Sequence, residues 1–166
     1  MPAACAKPTG SAAALYVADG YRAWLSQSAL AKAARLARAA APMETGGMLL
    51  GHVVDGEAHV VAVTGPGRNV RLARYTFEAD RARDNRLVHR VWPRLRYLGD
   101  WHTHPGGRPV LSAMDLASIR ETLTPDMPAV LELLLAGPPG MESVEVALFT
   151  MVRGEDAPLR MTGGGQ

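Results

Sequence analysis

The chain has 166 residues, a length that fits one domain. Apolar residues make up 48% and charged residues 20%, which excludes a disordered, collagen-like or coiled-coil chain. The formal charge is only +2, and no stretch approaches the roughly 18 consecutive apolar residues of a membrane span.

In chain order, residues 1–12 read as a loose arm carrying the one cysteine, Cys5. A single cysteine excludes an internal disulfide framework and a multi-thiolate zinc finger. The Ala/Pro/Gly-rich start has no apolar run behind a cationic lead, so no signal peptide is expected and the cytosol is the expected compartment. Ala13–Val17 and Tyr21–Leu25 predict two short strands around the turn pair Asp19-Gly20. Ser28 is the expected N-cap of a helix to about Ala41, with Leu30, Ala33, Ala34 and Ala37 at helical spacing and Pro42 as its stop. Gly46–Val54 is nearly all apolar, as in a buried central strand, and Asp55-Gly56 turns it into a partner at His59–Thr64.

A loop rich in Arg follows, with a further strand expected at Arg74–Glu78. Asp80–Trp92 predicts a helix with Val88, Val91 and Trp92 as its apolar stripe. Tyr97–His104 reads as a strand, Pro105–Leu111 as a Gly/Pro loop, and Ser112 to about Leu123 as a helix. Ala129–Ala136 and Val144–Val152 read as closing strands, and residues 154–166 as a frayed tail. The order gives an α/β (α+β) fold, with helices packed on a mixed sheet, and a domain over 13–153.

The chemistry concentrates in Trp101-His102-Thr103-His104-Pro105, followed by Ser112 and Asp115. Two His at i and i+2 of a strand point to one face, so both imidazoles reach one ion, while Trp101 and Thr103 point to the other. A catalytic zinc takes three protein ligands plus water, and Asp115 supplies the third from the first turn of the next helix. Taken alone, Ser112-x-x-Asp115 is also a capping-box pattern, and His-x-His two partly buried strand residues. A hydrolytic site needs a base beside the water. Glu44, at the entry to the strand in Glu44-Thr45-Gly46-Gly47, is the leading candidate. The two glycines leave room for a substrate backbone beside the strand, or mark a bulge. Asp100 is a candidate to orient a ligand His, or else faces away. His52, His59 and His89 read as structural or exposed, and Trp92 and Trp101 as core.

With Glu44, His102, His104, Ser112 and Asp115 at these spacings, the sequence resembles the JAMM zinc metalloproteases, also called JAB or MPN+ domains. The resemblance covers about Ala13–Val152. It implies an MPN/JAB-type mixed β-sheet sandwiched by helices. It implies one Zn2+ per chain on His102, His104 and Asp115, Glu44 as general acid/base, and Ser112 donating its hydroxyl to the developing oxyanion. It also implies an isopeptidase or peptidase that cuts after the C-terminal tail of a ubiquitin-like protein. Thr64-Gly65-Pro66-Gly67-Arg68-Asn69 and Tyr97–Gly107 look like the short bacterial deconjugating enzymes of antiphage operons, CBASS among them. The expected partner is then a ubiquitin-like or conjugated protein with an extended tail, in a bacterial cytoplasm, with no membrane.

Other readings differ in substrate or class. One is a peptidase trimming sulfur-carrier proteins; another is a metal-free MPN scaffold, though no motif position is missing here. A third is a nucleic-acid role like that of RadC-like proteins, with the nine Arg from Arg68 to Arg96 as its support. That cluster reads first as a solvated helix face and loop, so nucleic acid is not the expected partner.

Overall fold

The computed structural model describes residues 13–67 and 80–164 in full, and the backbone alone at 71–72 and 77–78. The expected arm 1–12 with Cys5, and residues 74–76 of the expected strand, lie outside the described residues.

Two Asp-Gly pairs set the early hairpins. Asp19 and Gly20 take φ 36° and 83° between β1 (Ala13–Ala18) and β2 (Tyr21–Ser26). Asp55 and Gly56 take 52° and 81° between β3 (Gly46–Val54) and β4 (Glu57–Val63). These left-handed conformations match the twist of a two-residue hairpin, and short Asp and Gly side chains tolerate them.

Helix α1 (Gln27–Ala40) begins one residue after β2 ends. The cap is therefore Ser26, the last strand residue, and not the expected Ser28: Ser26 Oγ accepts from the Ala29 amide at 3.1 Å. Ala29, Ala33, Ala34 and Ala37 form the buried stripe. Such small side chains let the helix approach β2 and β4 closely.

A two-stranded piece, β5 (Arg71–Leu72) with β6 (Phe77–Glu78), precedes α2 (Arg81–Val91). Asp80 caps α2, its carboxylate accepting from the Arg83 amide at 3.1 Å. The expected apolar stripe does not form a core contact: no residue of α2 is fully buried. Trp92 is 54% exposed, with the Arg96 guanidinium 5.1 Å from its ring. The helix has too few apolar positions for its four arginines, so its outer side stays in water.

Then come β7 (Arg96–Pro105), α3 (Ala113–Thr122), β8 (Ala129–Gly137), β9 (Glu145–Val152) and β10 (Leu159–Gly163). Strand β10 corrects the reading of residues 154–166 as a tail. It pairs with β9 on one side and β1 on the other, and so closes the sheet.

The sheet order is β1-β10-β9-β8-β7-β3-β4-β2, with β2 paired back to β1. It is mixed, as expected: β2–β4 and β7–β8 are parallel and the remaining pairs antiparallel. It is a closed barrel rather than an open layer.

The alternation along β8 shows where the core sits. Leu131, Leu133 and Leu135 join Leu49, Trp101, Leu148 and the alanines of α1 in the main cluster. Val130 faces the other way, toward Ile119 of α3 and Met151. Thr64 knots the adjoining strands: its amide donates to Met48 O at 3.0 Å, its Oγ1 accepts from Met48 N at 2.8 Å, and its carbonyl accepts from Trp101 Nε1 at 2.9 Å. The room beside Gly47 is taken by this Thr64, since a Cβ there would collide with its carbonyl oxygen. That glycine serves the chain's own packing and not a substrate strand. Among the described residues no helix is long and apolar enough to cross a membrane.

Candidate metal centre

The extended backbone of β7 splits its residues between two environments. Trp101 and Thr103 are fully buried on the barrel side. His102 and His104 share the opposite face, with ring centroids 4.9 Å apart and planes at 64°.

Asp115 reaches them from α3 through the helix cap. Ser112 Oγ accepts from the Asp115 amide at 3.2 Å, and Asp115 Oδ2 accepts from the Ser112 amide at 2.6 Å. The capping box and the candidate site are thus one structure. The cap fixes the carboxylate's rotamer, and the helix N-terminus favours its negative charge. From there Oδ1 lies 3.4 Å from His102 Nε2, and Oδ2 3.4 Å from His104 Nε2. The two Nε2 atoms are 3.2 Å apart.

Those spacings fit an ion. A tetrahedral zinc with bonds of about 2.0–2.1 Å sets its ligand atoms roughly 3.3 Å from one another. The tautomers fit as well. His102 Nδ1 donates to Glu132 Oε1 at 2.6 Å, and His104 Nδ1 donates to the Arg108 carbonyl at 3.2 Å. Both Nε2 lone pairs then face each other and the carboxylate. Three electron-rich atoms converging on one point call for a cation or a proton between them. Among the described residues, His102, His104 and Asp115 form the group able to hold a metal ion.

With protein charges alone, burial opposes a charged His102. The hydrogen bonds with Asp115 and Glu132 outweigh it and push its pKa up to about 10. Burial likewise works against an ionised Asp115, but the two imidazoles hold its carboxyl well below the usual carboxylate range.

Glu44 lies just before β3. The segment is pinned to β7 where the Thr45 amide donates to Thr103 Oγ1, a buried bond of 2.9 Å. Glu44 thereby lines one cleft of about 290 Å³ with His104, Pro105, Gly106, Gly107, Ser112 and Asp115. Partial burial raises the pKa of its carboxyl, and the charges of His104 and His102 offset this in part. A larger hollow of about 510 Å³ lies at the β1–β2 turn. Its arginines, Arg22 and Arg160, already pair with Glu57 and Glu145.

All five motif residues therefore come together. The sequence reading missed Glu132, whose signal was a lone carboxylate inside the otherwise apolar run 129–136. For the orienting role it offers Asp100, with facing away as the alternative. Asp100 accepts from the Tyr97 hydroxyl at 2.6 Å, and burial together with the charge of Glu132 pushes its pKa up to about 7.

The barrel thus presents two histidines and a cap carboxylate as a candidate metal site, with a glutamate lining the adjoining cleft. Residues 26–155 match the family of prokaryotic homologs of the JAB domain, and the chain belongs to that family. It is 32% identical over 124 residues to a protein of Enterobacter hormaechei subsp. hoffmannii named "CD-NTase/cGAS isopeptidase". That match covers 71% of this chain and 68% of the relative. The fold is similar to the solution structure of a Desulfitobacterium hafniense protein, with a TM-score of 0.58 and 18% identity, covering 83% of this chain and 86% of that one. A Salinibacter ruber protein gives 0.51 and 24%, covering 75% and 78%.

Proposed function

We propose that this chain is a zinc-dependent isopeptidase of the JAMM type. Its substrate is a protein conjugated through an extended C-terminal tail. The kinship with an isopeptidase named for CD-NTase/cGAS favours a nucleotidyltransferase conjugate of a bacterial antiphage system over a sulfur carrier. The observation that carries the reading is the convergence of His102, His104 and Asp115 at ligand spacing beside the cleft that Glu44 lines.

His102, His104 and Asp115 would hold the ion, which supplies Lewis acidity when bound. Glu44 takes a proton from the attacking water and returns it to the departing amine. Its raised pKa brings it closer to neutrality than an ordinary glutamate, which suits both transfers. The Ser112 oxygen accepts from the Asp115 amide, which leaves its O–H free to donate to the oxyanion.

The test is cleavage of a purified nucleotidyltransferase conjugate, read by gel and by mass of the released tail. Cleavage after the tail, lost with a chelator and restored by zinc, is the expected result. Cleavage that persists without metal, or none on zinc-loaded protein with any tailed conjugate, overturns the reading.

A further inference from the structure

Glu132 is a buried carboxylate in the middle of an apolar strand, and burying a charge there is costly unless a partner meets it. Its partner is the ring of His102. The parallel register sets Asp100 opposite Glu132 and His102 opposite Leu134, so Glu132 stands one pleat behind His102 on the same face. Two acids thus stand side by side one pleat behind His102, and they are used differently. Asp100 is engaged by the Tyr97 hydroxyl, whereas Glu132 Oε1 accepts a hydrogen bond from His102 Nδ1 at 2.6 Å.

We infer that Glu132 is the positioning residue of the metal centre: it locks the His102 ring and its tautomer, and so sets the affinity for the ion. This rests on the metal-hydrolase reading above. The two histidines are then unequal ligands. His104 leans on a neutral main-chain carbonyl, Arg108 O, at 3.2 Å in the loop that precedes α3. His102 leans on a carboxylate held within a central strand. A charged acceptor raises the basicity of the imidazole and narrows its rotation more than a loop carbonyl does.

The experiment compares wild type, Glu132→Gln and Asp100→Asn, each shown to be folded by circular dichroism. Zinc affinity is measured by competition with a chromophoric chelator, and kcat and KM at saturating zinc. Glu132→Gln should weaken zinc binding by about 10–100-fold and lower kcat with KM little changed. Asp100→Asn should leave affinity within about threefold, because the Asp100 carboxylate is engaged by the Tyr97 hydroxyl. Equal affinity and turnover in Glu132→Gln, or an equal loss in Asp100→Asn, overturns the inference. Wild type that takes up no zinc overturns the metal reading and this inference together.

A variant-free readout covers the case in which Glu132→Gln does not fold. Nitrogen-15 spectra of zinc-loaded wild type should show His102 protonated at Nδ1 and metal-shifted at Nε2. Metal on Nδ1 contradicts the inference.

Discussion

The two faces of β7 carry opposite duties within one run of five residues. On the barrel side Trp101 and Thr103 are sealed, and their polar atoms are spent on the chain itself: Trp101 Nε1 on Thr64 O, and Thr103 Oγ1 on the Thr45 amide. On the other side, His102 and His104 commit Nδ1 to Glu132 and the Arg108 carbonyl and turn Nε2 toward Asp115 and each other. One face turns sequence into rigidity and the other into chemistry. The first serves the second, because the Thr103–Thr45 bond holds the segment that delivers Glu44. Breaking one face should therefore cost stability, and breaking the other should cost metal and turnover.

The largest effect is expected on the chemical face. His104→Ala should lose bound zinc and lower kcat/KM by more than about a thousandfold, with the fold retained by circular dichroism. Glu44→Gln sharpens the division within that face. It should keep zinc and lose about 10²–10⁴ in kcat, the usual share of a general acid/base. If that variant turned over like wild type, Glu44 would not be the base.

On the sealed face, Trp101→Ala should lower stability by about 3–5 kcal/mol in urea unfolding, while protein that stays folded still takes up zinc. Ser112→Ala touches both duties through the cap. A loss of about 10²–10³ in kcat is expected from the missing oxyanion donor, with only ~1 kcal/mol of stability lost. The smallest effect is in the pH profile. Glu44 must be ionised to take a proton, so kcat/KM falls as pH drops through its pKa. Burial raises that pKa, so the acid limb should bend above the ordinary glutamate value of about 4.3. A profile flat to pH 4 would assign the base elsewhere.

What could be read from the sequence follows the range of the forces involved. Strands β1–β4 and β7–β9 and the grouping of His102, His104 and Asp115 were legible because strand alternation and the Ser-x-x-Asp cap are local patterns, whereas Glu44 drew notice as a carboxylate at a strand entry. The cap at Ser26 was misplaced by two residues, because α1 leaves β2 with no loop to mark the boundary. Strand β10 was missed because Leu159–Gly163 has little apolar signal of its own and gains its order from partners far away in sequence, β1 and β9. Glu132 was missed for the same reason. Its contact with His102 depends on β7–β8 register, which no local pattern reveals. Trp92 read as core because it is large and apolar, yet it caps the C-terminal end of a helix with no fully buried residue and stays exposed.

The most direct test of the central claim is zinc content by elemental analysis of wild type, Glu44→Gln and His104→Ala after dialysis against zinc and then metal-free buffer. The account predicts close to one zinc per chain in the first two and close to none in the third. No zinc in wild type, or equal zinc in all three, would contradict a metal centre on the outer face of β7.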